Sequence, residues 1–198
     1  MTVAYSTLLT NLDLGTRKLG DPSAIDGGLK IASATIELAT ADIDNTDVIH
    51  MVEIPSNAIV HSIMIFNDDL DSNATALLAA NVGLYAGQRI VSSVTTSSAT
   101  ITNADTTTYT AYRPRVWEKD EVIDADCYAT AITCLRDAND QGFEVAYEVK
   151  DIANIGNEAW QDAGLAEDPH AQLRLSLTIS AAAGTAAAGT LSIRVIYA

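Results

Sequence analysis

QLRLSLTISAAAGTAAAGTLSIRVIYA, residues 172–198, decides how the rest of the chain is read. Leu173, Leu175, Leu177 and Ile179 alternate with Arg174, Ser176 and Thr178, and Leu191, Ile193, Val195 and Tyr197 alternate with Ser192, Arg194 and Ile196. A period of two sends one set to a buried face and the other toward solvent, as in a half-buried antiparallel strand. The tract between them, Ala181 to Gly189, is built of Ala, Gly and one Thr, and predicts a hairpin loop joining the two strands.

Upstream, the same grammar recurs. Val48 to Ile54 and Ala58 to Phe66 are β-branched runs broken by Pro55-Ser56-Asn57, where proline presets the backbone for a turn. In the second run Ile59, Ile63 and Ile65 share one face and Val60, Met64 and Phe66 the other, which predicts a strand buried on both sides. Asn81 to Tyr85 reads as a short strand after the acidic loop Asn67 to Asn73, and a Ser/Thr tract follows up to Thr108. Cys127 to Cys134 and Phe143 to Val149 read as strands joined by the polar turn Arg136 to Gly142. One short helix is expected near 157–163, capped by Asn157 and stopped by Gly164.

Roughly eight to ten short strands with no βαβ rhythm and no fixed repeat predict an all-β antiparallel sandwich of jelly-roll-like form. The domain is expected over 36–198. Residues 1–35 read as an extended N-terminal arm, because Leu12, Leu14 and Leu19 are scattered among Gly15, Gly20, Pro22, Gly27 and Gly28 without a period.

Composition narrows the function classes. Hydrophobic residues make up 48% of the chain but aromatic residues only 6%, as in sheets joined by small-residue turns. The formal charge of −15, from 26 acidic against 11 basic residues, repels a polyphosphate backbone and predicts no nucleic-acid partner. No window has the length of apolar sequence that crosses a membrane, and MTVAYSTLLTNLDLG has neither the basic start nor the apolar stretch of a signal peptide. Cys127 and Cys134 stand outside any CxxC pair and, seven positions apart, point to opposite faces of a regular strand. Two free thiols fit assembly in a reducing cytoplasm.

The chemistry-bearing residues form no recognisable engine, so catalytic, cofactor and metal sites are all expected to be none. His50, His61 and His170 lie outside any GxSxG, CxxH or HExxH context, and no GxxxxGK[ST] or GxGxxG cradle is present. Asp124 with Asp126, or Glu144 with Glu148, would supply paired carboxylates, but such pairs abound in so acidic a chain. Asp69-x-Asp71-x-Asn73 opens like a calcium loop, yet Ala74 takes the glycine position and Ala80 that of the closing glutamate, which leaves a solvated turn as the expectation. Asp42, Asp44 and Asp47 form a similar acidic patch.

Three segments carry a resemblance: Glu53 to Val60 opening a strand, Asn81 to Tyr85 after the acidic loop, and the ending Gly189 to Ala198. They resemble β-rich virion proteins of tailed phages, of the head-decoration or minor-capsid type, and Trp160 to Leu165 with Asp168-Pro169 is similar to such proteins as well. The resemblance implies a jelly-roll-like domain on the capsid surface of a virion made in the host cytoplasm, a homotrimer bridging subunits of the major capsid protein, with no catalytic residues. A cement protein adds buried area between shell subunits, and extended arms do this well. Tyr5, Leu8, Leu9, Leu12 and Leu14 are therefore the candidate partner contacts, unless they cover an edge of their own sheet. The long arm leaves a tail or neck location open. A carbohydrate- or receptor-binding sandwich is the competing reading, with Tyr109, Tyr112, Trp117 and Trp160 as stacking residues.

Overall fold

A computed structural model describes residues 28–91, 97–102, 108–113 and 115–198. Their strands are β1 (Lys30–Leu38), β2 (Val48–Pro55), β3 (Val60–Asn67), β4 (Ala79–Ala86), β5 (Ile90–Val91), β6 (Ser97–Thr102), β7 (Thr108–Arg113), β8 (Val116–Trp117), β9 (Val122–Ile132), β10 (Asn139–Glu144), β11 (Gln172–Ala181) and β12 (Gly189–Tyr197); the one α-helix is α1 (Ala159–Asp162).

The pairings nest. β1 pairs with β12, β2 with β11, β3 with β10 and β4 with β9, all antiparallel, and the short ribbons β5·β8 and β6·β7 continue the series toward its tip. The chain is one long hairpin, rolled so that β12 also pairs with β3 and β11 with β4. Two four-stranded sheets result, β1-β12-β3-β10 and β2-β11-β4-β9. An eight-stranded hairpin wrapped into two facing sheets is a jelly roll, and the β5–β8 segment is inserted where the hairpin turns.

Alternation supplies the core between the sheets. Ile63, Ile65, Leu191, Ile193 and Val195 face inward from the first sheet, and Ile54, Val82, Leu84, Leu173, Leu175, Leu177 and Ile179 from the second. Gly83 is required where β9 bulges against β4, since a Cβ there would lie 2.2 Å from the Ala125 and Asp124 backbone. Asn81 steadies that bulge by accepting the Ala131 N–H at 2.8 Å, where Ala131 holds a φ of 52°.

Several expectations are corrected. β11 and β12 are both strands, but they lie in opposite sheets, so 182–188 is a crossover and not a hairpin loop. The strand expected over 143–149 lies over Asn139–Glu144 instead. Beyond it the chain leaves the sheet: Val145 N–H bonds Ile63 O on β3, and Val149 N–H bonds Tyr128 O on β9. β3 is buried on its inner face only, with Ser62, Met64 and Phe66 half-exposed outside and Arg194 lying 5.5 Å over the Phe66 ring. Cys134 falls in a 3-10 turn after β9, so strand alternation does not govern the two thiols; both are free and half-buried. Glu158, not Asn157, precedes α1, its N–H bonded to the Gln161 side chain at 3.0 Å, while Gly164 ends the helix at φ 68° as expected. Residues 30–35, assigned to an arm from the sequence, are paired with β12 as part of β1.

Candidate functional site

Among the described residues, three clusters of polar side chains bear on the candidate chemistry, and each has a structural task. The first lies on the outer face of the β2-β11-β4-β9 sheet. His50 Nδ1 is 2.7 Å from Ser176 Oγ on the neighbouring strand, and its Nε2 is 3.9 Å from Asp120. The order Ser–His–Asp is that of an acyl-transfer triad, but the geometry is not. Ser176 is fully buried, so no carbonyl reaches its hydroxyl. The Nε2–Asp120 distance is beyond hydrogen bonding, and Asp120 is taken by Arg174, which also binds Glu53. Tyr85 packs edge-on to His50 at 5.3 Å and bonds Thr178 at 2.6 Å, which seals the patch. Burial pushes the His50 pKa below its ordinary value; Asp120 opposes this, and Arg174 and Lys119 add to it.

The second cluster explains the calcium-like loop. Asp71 is buried and accepts four short backbone N–H bonds, from Leu77 at 2.7 Å, Leu78 at 2.9 Å, Gly184 at 3.0 Å and Thr185 at 2.9 Å, with a longer fifth from Asn73 at 3.4 Å. Burial alone would raise its pKa, but the four donors overrule that and hold the carboxyl far below the usual range. The carboxylate thereby ties the β11–β12 crossover to the loop before β4. Asp69 accepts Asp71 N–H and Asn73 accepts Thr75 N–H, so the alternating oxygens serve the loop's own backbone. Asp42 and Asp47 do the same, accepting Ala39 N–H and Asp44 N–H.

The third cluster anchors the stretch between β10 and β11. Lys150 Nζ meets Asp162 Oδ2 on α1 at 2.8 Å, with both side chains 3% exposed. Burial raises the Asp162 pKa, and Lys150 and then Tyr128 pull it back. The buried Tyr128 hydroxyl is near enough to perturb Asp162, although no partner stands at hydrogen-bonding distance. One carboxylate of each pair named from the sequence is likewise occupied. Glu144 accepts Ile63 N–H and Ala146 N–H, both at 2.9 Å, and Asp124 accepts Asp126 N–H at 3.1 Å.

The long-range contacts had no sequence signal, since His50 and Ser176 stand 126 residues apart and Asp71 and Thr185 114. His170 lies exposed beside Asp168, as expected of a turn residue. Among the described residues, no group of three or more His, Cys, Asp or Glu is arranged to hold a metal ion, and no helix is long and apolar enough to cross a membrane.

Several large apolar side chains are also exposed. Leu29 and Ile31 stand 63% and 66% exposed at the β1 edge of one sheet. Beside the opposite edge, β10 and the chain after it expose Phe143, Tyr147, Val149, Ile152 and Ile155, Ile152 to 88%. A groove of about 300 Å³ lies at the β1–β2 corner, lined by Ile36, Leu38, Asp42, Asp47, Val48 and His50. The expected contacts Tyr5, Leu8, Leu9, Leu12 and Leu14 fall outside the described residues. Of the aromatic stacking candidates, Trp117 is buried in the core under Arg115, 5.2 Å from its ring, and Trp160 is half-buried with its indole bonded to Glu158. Tyr109 and Tyr112 lie on β7, among residues whose side chains are not described.

No family model matches the sequence, and no curated protein matches it. Among solved structures, the capsid of Ralstonia phage GP4 contains a similar chain: TM-score 0.54 at 15% identity, over 92% of this chain and 91% of that one. The likeness is one of fold. The cyanophage Pam1 capsid asymmetric unit gives 0.49 at 17% identity, over 100% and 98% of the two chains.

Proposed function

We propose that this chain is a structural, non-catalytic protein of a tailed-phage particle, set on the capsid shell as a decoration or cement protein. The observation that carries the reading is the jelly-roll likeness to a chain of the Ralstonia phage GP4 capsid, which runs nearly the whole length of both chains. It is supported by what the polar clusters do: the carboxylates of Asp71, Glu144 and Asp162 and the ring of His50 are spent on holding strands and loops. Apolar side chains are left exposed at the start of β1 and along the chain after β10, where a neighbour would cover them.

In this reading the partners are the major capsid protein and further copies of this chain, as a trimer. The arm before β1 reaches the shell through Tyr5, Leu8, Leu9, Leu12 and Leu14. Neither nucleic acid nor membrane is a partner, and the chain is made in the host cytoplasm before it joins the virion. Cryo-electron microscopy of the particle tests this: density on the outer shell, with residues 1–27 ordered against a capsid subunit, is the expected result. Density at the tail or neck would move the protein within the virion, and absence from the particle would overturn the reading.

A further inference from the structure

The β1–β2 corner is the unfinished part of the sandwich. β1 and β2 are edge strands of the two sheets, and the groove of about 300 Å³ lies where they meet. Ala32, Ala34, Ile36 and Leu38 share the core side of β1, yet Ile36 is 38% exposed, and Val48 on the other wall of the groove is exposed equally. β1 pairs with β12 over all nine residues without a bulge, so its other edge offers a straight row of unpaired backbone groups. Between Lys30 and Glu37 it carries neither a charge nor a proline to deter a further strand.

What precedes β1 matches what the corner lacks. Residues 1–27 end two positions before the strand, and Asp26-Gly27-Gly28 is the residue pattern of a tight hairpin turn, with open space around Gly28. A two-residue turn at Gly27-Gly28 sets Leu19 opposite Ile36, Lys18 opposite Glu37 and Arg17 opposite Leu38. Opposite residues of an antiparallel pair share a face, which puts Leu19 and Arg17 on the groove side and Lys18 on the outer side with Glu37. The groove is acidic as well as apolar. Asp42 and Asp47 line it, and among the described residues neither forms an ion pair with a lysine or arginine. Arg17-Lys18 is the one adjacent basic pair in the whole chain.

We infer that residues 17–25 fold back along the free edge of β1 in the same molecule, seating Leu19 in the groove beside Ile36 and Val48, with Arg17 against Asp42 and Asp47. Gly20 and Pro22 interrupt regular pairing in between, so residues 17–19 are the anchor. A tether this short gives the chain's own segment the advantage over that of another copy. The inference stands apart from the placement on a capsid shell and adds to it a point of departure: Tyr5, Leu8, Leu9, Leu12 and Leu14 leave the domain from the β1–β2 corner.

Hydrogen exchange of the full chain, followed over a range of protein concentrations, tests this. Arg17→Glu with Leu19→Asp removes both anchors and lies outside β1 to β12, so exchange in β3 and β11 is expected to match the parent protein and report an intact fold. In the parent, amides of 17–19 and those of β1 that face away from β12 are expected to exchange at least about tenfold more slowly than in the variant, at every concentration. Residues 17–19 exchanging in the parent as fast as a free peptide, or β1 exchanging alike in parent and variant, would overturn the inference. So would protection that grows with concentration, the result for a segment seated on a second copy. Each of these outcomes leaves the location of the chain in a particle to be decided by its density there, so the two proposals fail separately.

Discussion

The crossover 182–188 and the connection 145–158 teach opposite lessons about loops. The crossover is nearly all Ala and Gly and looks like filler, yet the buried carboxylate of Asp71 grips its backbone at Gly184 and Thr185. The connection is rich in Ile, Val and Tyr and looks like core, yet beyond the buried Val145 it exposes those side chains and buries Lys150 against Asp162 instead. Composition describes what a loop offers, and the fold decides which part of it is used. In one case the backbone is held and the side chains are negligible; in the other the stem is held so that the side chains can face outward.

The largest effect that would break this contrast is at the stem. Lys150→Ala leaves Asp162 buried without its partner and is expected to cost about 4 kcal/mol, read as a lower urea midpoint. Lys150→Met with Asp162→Leu should recover most of that, and failure to recover would show that the pair has a further partner in Tyr128. Asp71→Asn replaces one accepting oxygen by a donor facing buried N–H groups and is expected to cost about 3 kcal/mol, with hydrogen exchange rising at 182–188 before it does in the strands. If exchange there is unchanged, the carboxylate is not what holds the crossover.

The same carboxylate predicts a pH dependence. Its folded pKa lies below the unfolded value of 3.8, so its stabilisation is present above that value and is lost as pH falls below it. Asp71→Asn should flatten that acid limb. His50 acts at higher pH: its folded pKa is below 6.5, so the neutral ring is favoured, and its contribution is complete above 6.5 and shrinks as pH falls below. His50→Gln should remove this smaller slope in denaturation midpoints measured from pH 7 down to pH 5. The smallest effect belongs to the tip of the connection, where Ile152→Ser is expected to change stability by no more than about 0.5 kcal/mol. A larger loss would mean that Ile152 packs within its own chain.

Strand identity was legible for β2, β3, β4, β11, β12 and the end of β9, but not for β1 or for β5 to β8. The alternation of Leu173 to Ile179 and of Leu191 to Tyr197 is visible in one dimension, because a strand between a core and solvent must bury every second side chain. The break at Pro55-Ser56-Asn57 and the helix stop at Gly164 were legible for the same local reason. The strand after Gly142 was misplaced because Phe143, Val145, Tyr147 and Val149 alternate as a strand does. Glu144, however, takes the Ile63 and Ala146 N–H groups on its side chain, which turns the chain out of the sheet.

The sequence by itself determined that the protein is all-β and which residues of β2, β3, β11 and β12 point inward. Only the tertiary structure decided that β11 and β12 belong to opposite sheets, that Asp71 is a backbone acceptor, that Ser176 under His50 is sealed, and that the chain after β10 turns out of the sheet. The reason is physical. Alternation records burial, which each residue reports alone. Pairing depends on which distant backbone groups satisfy one another, and a carboxylate looks the same in sequence whether an ion, a proton or four N–H groups will neutralise it.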